Sequence, residues 1–562
     1  MNSAWWALGL VLLVACGSDD RPVDTGMNPP WFQDVAAEVG IEFRHSIGPK
    51  RHYMPEITSS GLGLIDYDGD GDQDVFVCQG GDLEDPSSSP MTDRLYRNNG
   101  DGTYTDVTEG SGIGDPYFSF GPTVGDYDGD GDLDLYVGNV GPNALYRNDG
   151  DGKFVNVAKE LGCDLDIWTT STAFLDYDRD GDLDIFACTY LRWSPAIEHD
   201  CPSAEGPQGY CGPTRYNAAS SDRLLRNDGP AGFQDVTAEV GIQGTVGTSL
   251  GVVWGDLDED GEIEIFVSID GMENHLWDPV EDGQFKNIAP RDQVALNGRG
   301  NAEAGMGVLM ADLNEDLQFD IYIAHLRGES NTLYTRKGTQ GFRDGTLRSG
   351  LSSPSMAFTG FGVGAADFDH DGHLDLYLAN GRVTYARPFF DDTKPYAEPD
   401  QVYRGLGGGR FEEYVLDPTP LAERPGHGGT TPEVYEAGRG AVFTDIDGDL
   451  DIDIILNNYE GGLRVLRNIA PKRGAALILD VRERDGLPAC GARVQVTFGD
   501  QKRLVQVQST SSFASAVDPS VHVGLGDAER IDTVLVQWLD GTPDTFGPFE
   551  AGAVHSLKRA QN

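Results

Sequence analysis

Basic residues are scarce: 41 Lys and Arg stand against 92 Asp and Glu, a formal charge of −51 over 562 residues. That balance excludes nucleic acid as a partner, because its phosphates would be repelled, and makes cations the natural one. Long apolar runs are missing too. The N-terminal run from Ala4 to Ala15 holds twelve residues, too few to span a bilayer comfortably. No Walker motif or dinucleotide glycine fingerprint occurs. His199, Asp200, Arg215, Asp391, Asp392 and His427 fall in long loops, but no nucleophile, metal triad or paired acid stands at diagnostic spacing. His45 and His52 with Arg44, Lys50 and Arg51 form one small basic cluster, read as a solvated patch.

What the chain does hold is an acidic nonapeptide repeated seven times. DYDGDGDQD at Asp66 recurs as DYDGDGDLD at Asp126, DYDRDGDLD at Asp176, DLDEDGEIE at Asp256, DLNEDLQFD at Asp312, DFDHDGHLD at Asp367 and DIDGDLDID at Asp445. The starts lie 60, 50, 80, 56, 55 and 78 residues apart, the period of a propeller blade with occasional insertions. A second signal follows each of the first six loops, as in LYRNNGDGTYTDV at Leu95 and LYRNDGDGKFVNV at Leu145. Their Asn-Gly and Asp-Gly centres are hairpin turns. Each unit therefore reads as four antiparallel strands, with the acidic loop joining the first two. The seventh unit stops at Val465-Leu466-Arg467-Asn468 without its fourth strand, whereas WFQDVAAEVGI at Trp31 supplies one before the first unit. The expected fold is all-β: a seven-bladed β-propeller over 31–470, closed by the N-terminal strand. Alternating runs from Gly474 predict a small separate β-domain over 474–560.

Calcium takes six to eight oxygens from carboxylates, backbone carbonyls and water. Acids at loop positions 1, 3 and 5 converge when position 6 turns the chain, and an acid at position 9 completes the shell. In the first loop these are Asp66, Asp68, Asp70 and Asp74, with the carbonyl of Asp72 as a further ligand. In the second and third they are Asp126, Asp128, Asp130 and Asp134, then Asp176, Asp178, Asp180 and Asp184. The fourth offers Asp256, Asp258, Asp260 and Glu264, and the fifth Asp312, Asn314, Asp316 and Asp320. The sixth offers Asp367, Asp369, Asp371 and Asp375, and the seventh Asp445, Asp447, Asp449 and Asp453. An EF-hand would need Glu at position 12. Val77, Val137, Ala187, Val267, Ile323, Leu378 and Leu456 stand there instead, so the loop belongs to a β-hairpin. Magnesium suits such a loop less well because it demands near-octahedral geometry. Without a cation, 34 acids in seven short windows would repel one another. Up to seven Ca²⁺ sites are expected. The fifth and seventh are the weakest, because Leu317 and Leu450 replace the turning glycine. The loops resemble the calcium loops of FG-GAP-type repeats in integrin α-subunit propellers and many bacterial exported proteins.

Leu13-Val14-Ala15-Cys16 resembles the bacterial lipobox, although the preceding segment carries no Lys or Arg. The resemblance implies a signal peptide over 1–15, lipid attachment at Cys16, a flexible tether to residue 30, and a cell-envelope location, periplasmic or surface, with plain secretion as the alternative. Six cysteines remain, and Cys201 with Cys211, bracketing a Gly- and Pro-rich loop, are the one expected disulfide; pairing among Cys78, Cys163, Cys188 and Cys490 stays open. The largest insertions, residues 189–222, 381–401 and 416–438, emerge on the face away from the acidic loops. Trp193, Tyr210, Tyr216, Phe389, Phe390 and Tyr396 there offer aromatic surface to a protein or glycan partner. GARV at Gly491, VGLG at Val523 and VLVQWLDG at Val534 resemble the ASPIC/UnbV domain. With the repeats, the chain is similar to the cartilage acidic protein family. That resemblance implies an exported calcium-binding, non-enzymatic binding or adhesion scaffold. The alternative is a hydrolase or lyase for extracellular polysaccharide with its site among the long loops.

Overall fold

The computed structural model describes residues 28–560 apart from 89–90, 151, 203–207, 281–282, 386–393, 416–429 and 432–434. The expected signal peptide, Cys16 and most of the tether lie outside the described residues, as do Phe389, Phe390, Asp391, Asp392 and His427. Strands dominate, and each described α-helix is a single four-residue turn. Among the described residues no helix is long and apolar enough to cross a membrane.

Seven antiparallel units of four strands account for residues 32–468. The first is Leu62–Ile65, Asp74–Val77, Arg94–Asn98 and Tyr104–Asp106. Its second strand is buried at every residue, which is why it reads as one apolar run and not an alternation. The fourth buries Tyr104 and exposes Thr105 and Asp106, as an outer strand should. The register is the same in every unit: the residue before loop position 1 pairs with position 9. Ile65 thus faces Asp74, Gly125 faces Asp134, Leu175 faces Asp184, Gly255 faces Glu264, Ala311 faces Asp320, Ala366 faces Asp375 and Thr444 faces Asp453. Each acidic loop is therefore the turn of the first hairpin of its unit.

The seventh unit takes its fourth strand from the other end of the chain. Phe32–Asp34 pairs antiparallel with Arg464–Asn468, joining Phe32 to Asn468 and Asp34 to Leu466. First strands of successive units lie side by side, and the first strand of the seventh unit, Gly438–Thr444, touches that of the first. There the amide of Gly440 donates to the carbonyl of Ser60 at 3.1 Å. A Cβ on Gly440 would fall 2.8 Å from that oxygen, so glycine is what allows the close approach.

The C-terminal residues form two main sheets and a two-stranded pair, Arg530–Ile531 with Phe549–Glu550. Ala475–Arg482 lies between Val521–Gly526 and Val554–Lys558, and Arg493–Phe498 lies between Gln501–Gln506 and Thr533–Gln537, with Pro543–Phe546 outside. Leu477, Leu479, Val494, Val496, Val534, Val536 and Trp538 share one buried core between them. This unit has its own core, as expected of a small β-domain, and its central hairpin also reaches into the repeats. Thr510–Ser511 and Ser515–Ala516 pair with each other, and Ser515–Ala516 adds in parallel to Leu62–Ile65 of the first unit. Ser512 exchanges two backbone hydrogen bonds with Val308 of the fifth unit at 2.9 and 2.8 Å. Its hydroxyl accepts from Val363 N in the sixth at 3.0 Å, and Ala514 N donates to Ser171 Oγ in the third at 3.2 Å. Phe513 meets Phe361 edge to face at 4.9 Å and joins a buried cluster with Phe120, Leu250 and Met306. The small residues of Ser511-Ser512-Phe513-Ala514-Ser515 let the hairpin enter the space among the first strands and fill it.

Candidate metal centre

The acidic loops are built by two left-handed residues each. Position 6 is left-handed throughout: Gly71, Gly131, Gly181, Gly261 and Gly372, and also Leu317 and Leu450 at φ 65° and 71°. Both leucines thus adopt the conformation expected of them, against the steric preference of an L side chain. Position 4 is left-handed as well, a requirement the sequence reading missed. Gly69, Gly129 and Gly448 meet it freely, whereas Arg179, Glu259, Glu315 and His370 adopt φ between 57° and 65°.

These turns aim backbone amides at the acids. Position 1 accepts from the position 6 amide, as in Gly71 N to Asp66 Oδ2 at 3.1 Å, Gly131 N to Asp126 at 2.9 Å and Leu450 N to Asp445 at 2.8 Å. Position 5 accepts from position 7, as in Asp72 N to Asp70 at 3.0 Å. The position 9 acid is buried and uses both oxygens. Asp134 accepts Tyr127 N at 3.1 Å and Asn148 N at 2.8 Å, and Asp74, Asp184, Asp375 and Asp453 repeat the pattern. In three of the Leu-Tyr-Arg-Asn-type strands the Asn also reaches the preceding unit: Asn148 Nδ2 donates to Tyr67 O at 2.7 Å, Asn227 to Tyr127 O at 2.8 Å and Asn468 to Phe368 O at 3.1 Å. Its recurrence at one place in the repeat was the signal that could have revealed this role.

Carboxylate oxygens converge to within 4.8 Å in Asp66, Asp68 and Asp70, in Asp126, Asp128 and Asp134, in Asp176, Asp178 and Asp184, in Asp256, Asp258 and Asp260, and in Asp367, Asp369 and Asp371. Burial pushes the position 9 carboxyls up, to about 8 in Asp74, Asp134 and Asp184 and about 9 in Glu264. Several buried oxygens have no hydrogen-bond partner: Asp66 Oδ1, Asp176 Oδ1, Asp256 Oδ1, Asp258 Oδ1 and Glu264 Oε1. Buried acceptors without donors beside other carboxylates are the donor set of a hard cation. The residues present therefore fit calcium.

The loops differ in how far protein cations already neutralise them. In the first three, no Lys, Arg or His among the described residues pairs with the acids at positions 1, 3 and 5; the nearby pairs are Arg147 with Asp149 at 2.8 Å and Arg179 with Glu262 at 3.5 Å. In the sixth, Asp369 faces Arg404 at 3.2 Å and Arg473 at 2.9 Å, and Arg404 also pairs with Asp371 at 2.5 Å. Arg467 meets Asp447 at 3.0 Å in the seventh. In the fifth, Asn314 Nδ2 donates to Asp320 Oδ1 at 3.2 Å. The C-terminal unit covers the fourth, fifth and sixth loops, while the first, second, third and seventh line a cavity of about 1210 Å³ beneath it. The loops contribute Asp70, Asp132, Asp180 and Asp447 to its lining, and the C-terminal unit contributes Arg482, Arg484 and Arg559 together with Asp480, Glu483 and Asp540.

The opposite face departs from expectation. Tyr210, Tyr216 and Tyr396 are only 8%, 8% and 5% exposed, so they are corrected from partner surface to core. Tyr210 OH donates to Glu56 Oε2 at 2.9 Å and shares a hydrogen bond with Tyr459 OH at 2.8 Å. Trp193 is half-buried, its Nε1 on Glu198 Oε2 at 2.8 Å. Tyr210, Tyr216 and Tyr396 join the buried cluster of Phe120, Trp168 and Phe513, where removing aromatic surface from water is favourable. The basic cluster is likewise paired: Arg51 with Asp82 at 3.0 Å and Lys50 with Glu460 at 2.8 Å. Cys201 and Cys211 form the expected disulfide, with Cα atoms 5.4 Å apart. Cys78, Cys163, Cys188 and Cys490 are free thiols.

Comparison with known proteins matches residues 66–137, 126–187 and 312–378 to the FG-GAP-like repeat and residues 483–562 to the ASPIC and UnbV family. Each repeat match runs from position 1 of one acidic loop to position 12 of the next. Cartilage acidic protein 1 of Xenopus tropicalis is 29% identical over 319 residues, 55% of this chain and 44% of that protein. The Homo sapiens protein of the same name is 28% identical over 341 residues, 58% and 47% of the two chains. The chain thus spans about half the length of these relatives. A solved Agrocybe aegerita lectin, described as recognising non-reducing terminal N-acetylglucosamine, overlays at 17% identity and a TM-score of 0.38, covering 68% of this chain and 85% of its own; so low a score carries no argument. Residues 66–187 and 312–378 are thus FG-GAP-like repeats and residues 483–562 an ASPIC and UnbV domain, and the chain is a homologue of cartilage acidic protein 1.

Proposed function

We propose that the protein is a calcium-stabilised, non-enzymatic binding scaffold whose seven units are the blades of a closed propeller. The observation that carries this reading is the repeated convergence of carboxylates on the same turn, with buried oxygens left without donors. A bound Ca²⁺ supplies two positive charges at that turn. The chain's own residues do the rest: position 6 turns the loop, position 9 ties it to the second hairpin, and the Asn of the third strand ties it to the preceding blade. Sites repeated around a frame suit support better than catalysis, since a catalytic centre needs one arrangement and not several equivalent copies. Export and lipid attachment through Cys16 belong to the same reading, because extracellular calcium modules work at about 10⁻⁴ to 10⁻³ M.

The partner, a protein or glycan, binds in this reading at the cavity under the C-terminal unit. Burial of Tyr210, Tyr216 and Tyr396 weighs against the long-loop face. Loops one to three are the strongest cation sites, having no protein cation on their ligands; loops five, six and seven are the weakest, through Leu317, Asn314, Leu450, Arg404 and Arg473. Equilibrium dialysis against Ca²⁺ tests the reading: several ions bound per chain are expected, and no bound ion would contradict it. Loss of binding capacity in the triple variant D68N/D128N/D178N would assign the strong sites.

A further inference from the structure

The four left-handed residues at position 4 that are not glycine fall in the third to sixth loops, and three of them face the C-terminal unit. Glu259 Oε1 accepts from Arg493 Nη2 at 2.9 Å, while Arg493 Nη1 reaches Asp256 Oδ2 at 3.4 Å. Glu315 Oε1 lies 3.4 Å from Arg503 Nη2, which also donates to the carbonyl of Gly372 in the sixth loop. The His370 ring lies 5.4 Å from that of His522. Of the four loops that face the open cavity, the first, second and seventh have Gly69, Gly129 and Gly448 at position 4, and the third has Arg179, which pairs with Glu262 of the fourth loop at 3.5 Å. Strained backbone is retained where the side chain it carries does something. Here it reaches across to the other unit.

The C-terminal unit is shaped to match. A Cβ on Gly524 would fall 1.7 Å from Asp367 Oδ2, and one on Gly526 3.0 Å from the carbonyl of Asp371. A Cβ on Gly491 would meet the Trp254 ring at 3.0 Å. Gly491, Arg493, Gly524 and Gly526 belong to the two short motifs, GARV and VGLG, that mark this part of the sequence. Two position 1 acids, Asp256 and Asp367, are thus at once candidate cation ligands and contact points for the C-terminal unit.

We infer that these two motifs form a docking face that reads the cation-loaded shape of loops four to six, so that cation binding and C-terminal docking are coupled. The inference rests on the calcium reading above. A cation drawing Asp256 and Asp367 inward fixes the tips carrying Glu259, Glu315 and His370; without it, the repelling carboxylates move and Arg493, Arg503 and Gly524 lose their match. The central hairpin, held by backbone pairing to the first strands, stays in place. Release is then confined to the outer sheets and leaves the ring intact.

Hydrogen exchange on the full chain tests this, with bound Ca²⁺ counted in parallel. Chelation is expected to raise exchange in 475–506 and 521–526 by roughly tenfold or more while 510–516 stays protected. The variant E259G/E315G, which also relieves two left-handed side chains and so should fold, and R493A should each raise exchange in the same segments with Ca²⁺ present. Unchanged exchange in both variants, or a rise on chelation spread evenly over all units, would overturn the coupling even with Ca²⁺ bound. Absence of any bound Ca²⁺ would instead overturn the reading beneath it.

Discussion

At the scale of single residues, the acidic loop is a compromise between backbone strain and charge. Arg179 is exposed at φ 61° in a loop that lines the cavity beneath the C-terminal unit. Arg179→Gly should stabilise the protein by about 0.5 to 1 kcal/mol, the relief of a left-handed side chain less the added freedom of the unfolded chain. Urea unfolding checks it, and destabilisation would show that the pair with Glu262 outweighs the strain. Asp134→Asn should act oppositely. It replaces one acceptor of two buried amide bonds by a donor, leaving Tyr127 N or Asn148 N unpaired at a cost of about 1 to 3 kcal/mol. The same acids set a pH dependence. Burial holds Asp74, Asp134 and Asp184 at about 8 in the folded chain, against about 3.9 unfolded. Between those values the folded state binds more protons. The metal-free protein should therefore lose stability as pH rises from about 5 to 8. Calcium, which favours the ionised carboxylates, should reverse that slope, as melting curves taken with and without chelator across this range would show.

At the scale of elements, the central hairpin is the least expected feature and the most consequential. Phe513→Ala removes a fully buried ring from the space among the first strands and should cost about 3 to 5 kcal/mol, destabilising the repeats and not merely the C-terminal sheets. A change confined to the C-terminal sheets would show that the two parts fold separately. The strands themselves were legible: buried apolar runs, hairpin turns and the displaced Trp31 segment foretold every unit, and Phe32–Asp34 pairs where the missing strand was expected. The acidic loops were legible because ligand identity repeats every unit. The hairpin was not, since Thr510 to Ala516 carries one aromatic residue among small polar ones and has the composition of an exposed loop. Nor was the fate of Tyr210, Tyr216 and Tyr396. Aromatic residues in a long loop look the same in sequence whether they face a partner or one another, and only packing decides.

At the scale of the whole molecule, charge and architecture are one problem. A chain at −51 concentrates much of its acid in turns at the ends of hairpins, where dications can neutralise it and where arginines of the C-terminal unit already neutralise part of it. The position 9 acids Asp74, Asp134, Asp184, Asp375 and Asp453 tie their loops to their own third strands, and Asn148, Asn227 and Asn468 tie theirs to the preceding unit, so an ion bound at such a turn braces two units. Thermal unfolding followed by calorimetry at neutral pH tests this claim most directly. Chelation should lower the melting temperature and restored Ca²⁺, but not equimolar Mg²⁺, should raise it again through linkage; identical curves with and without chelator would contradict the account.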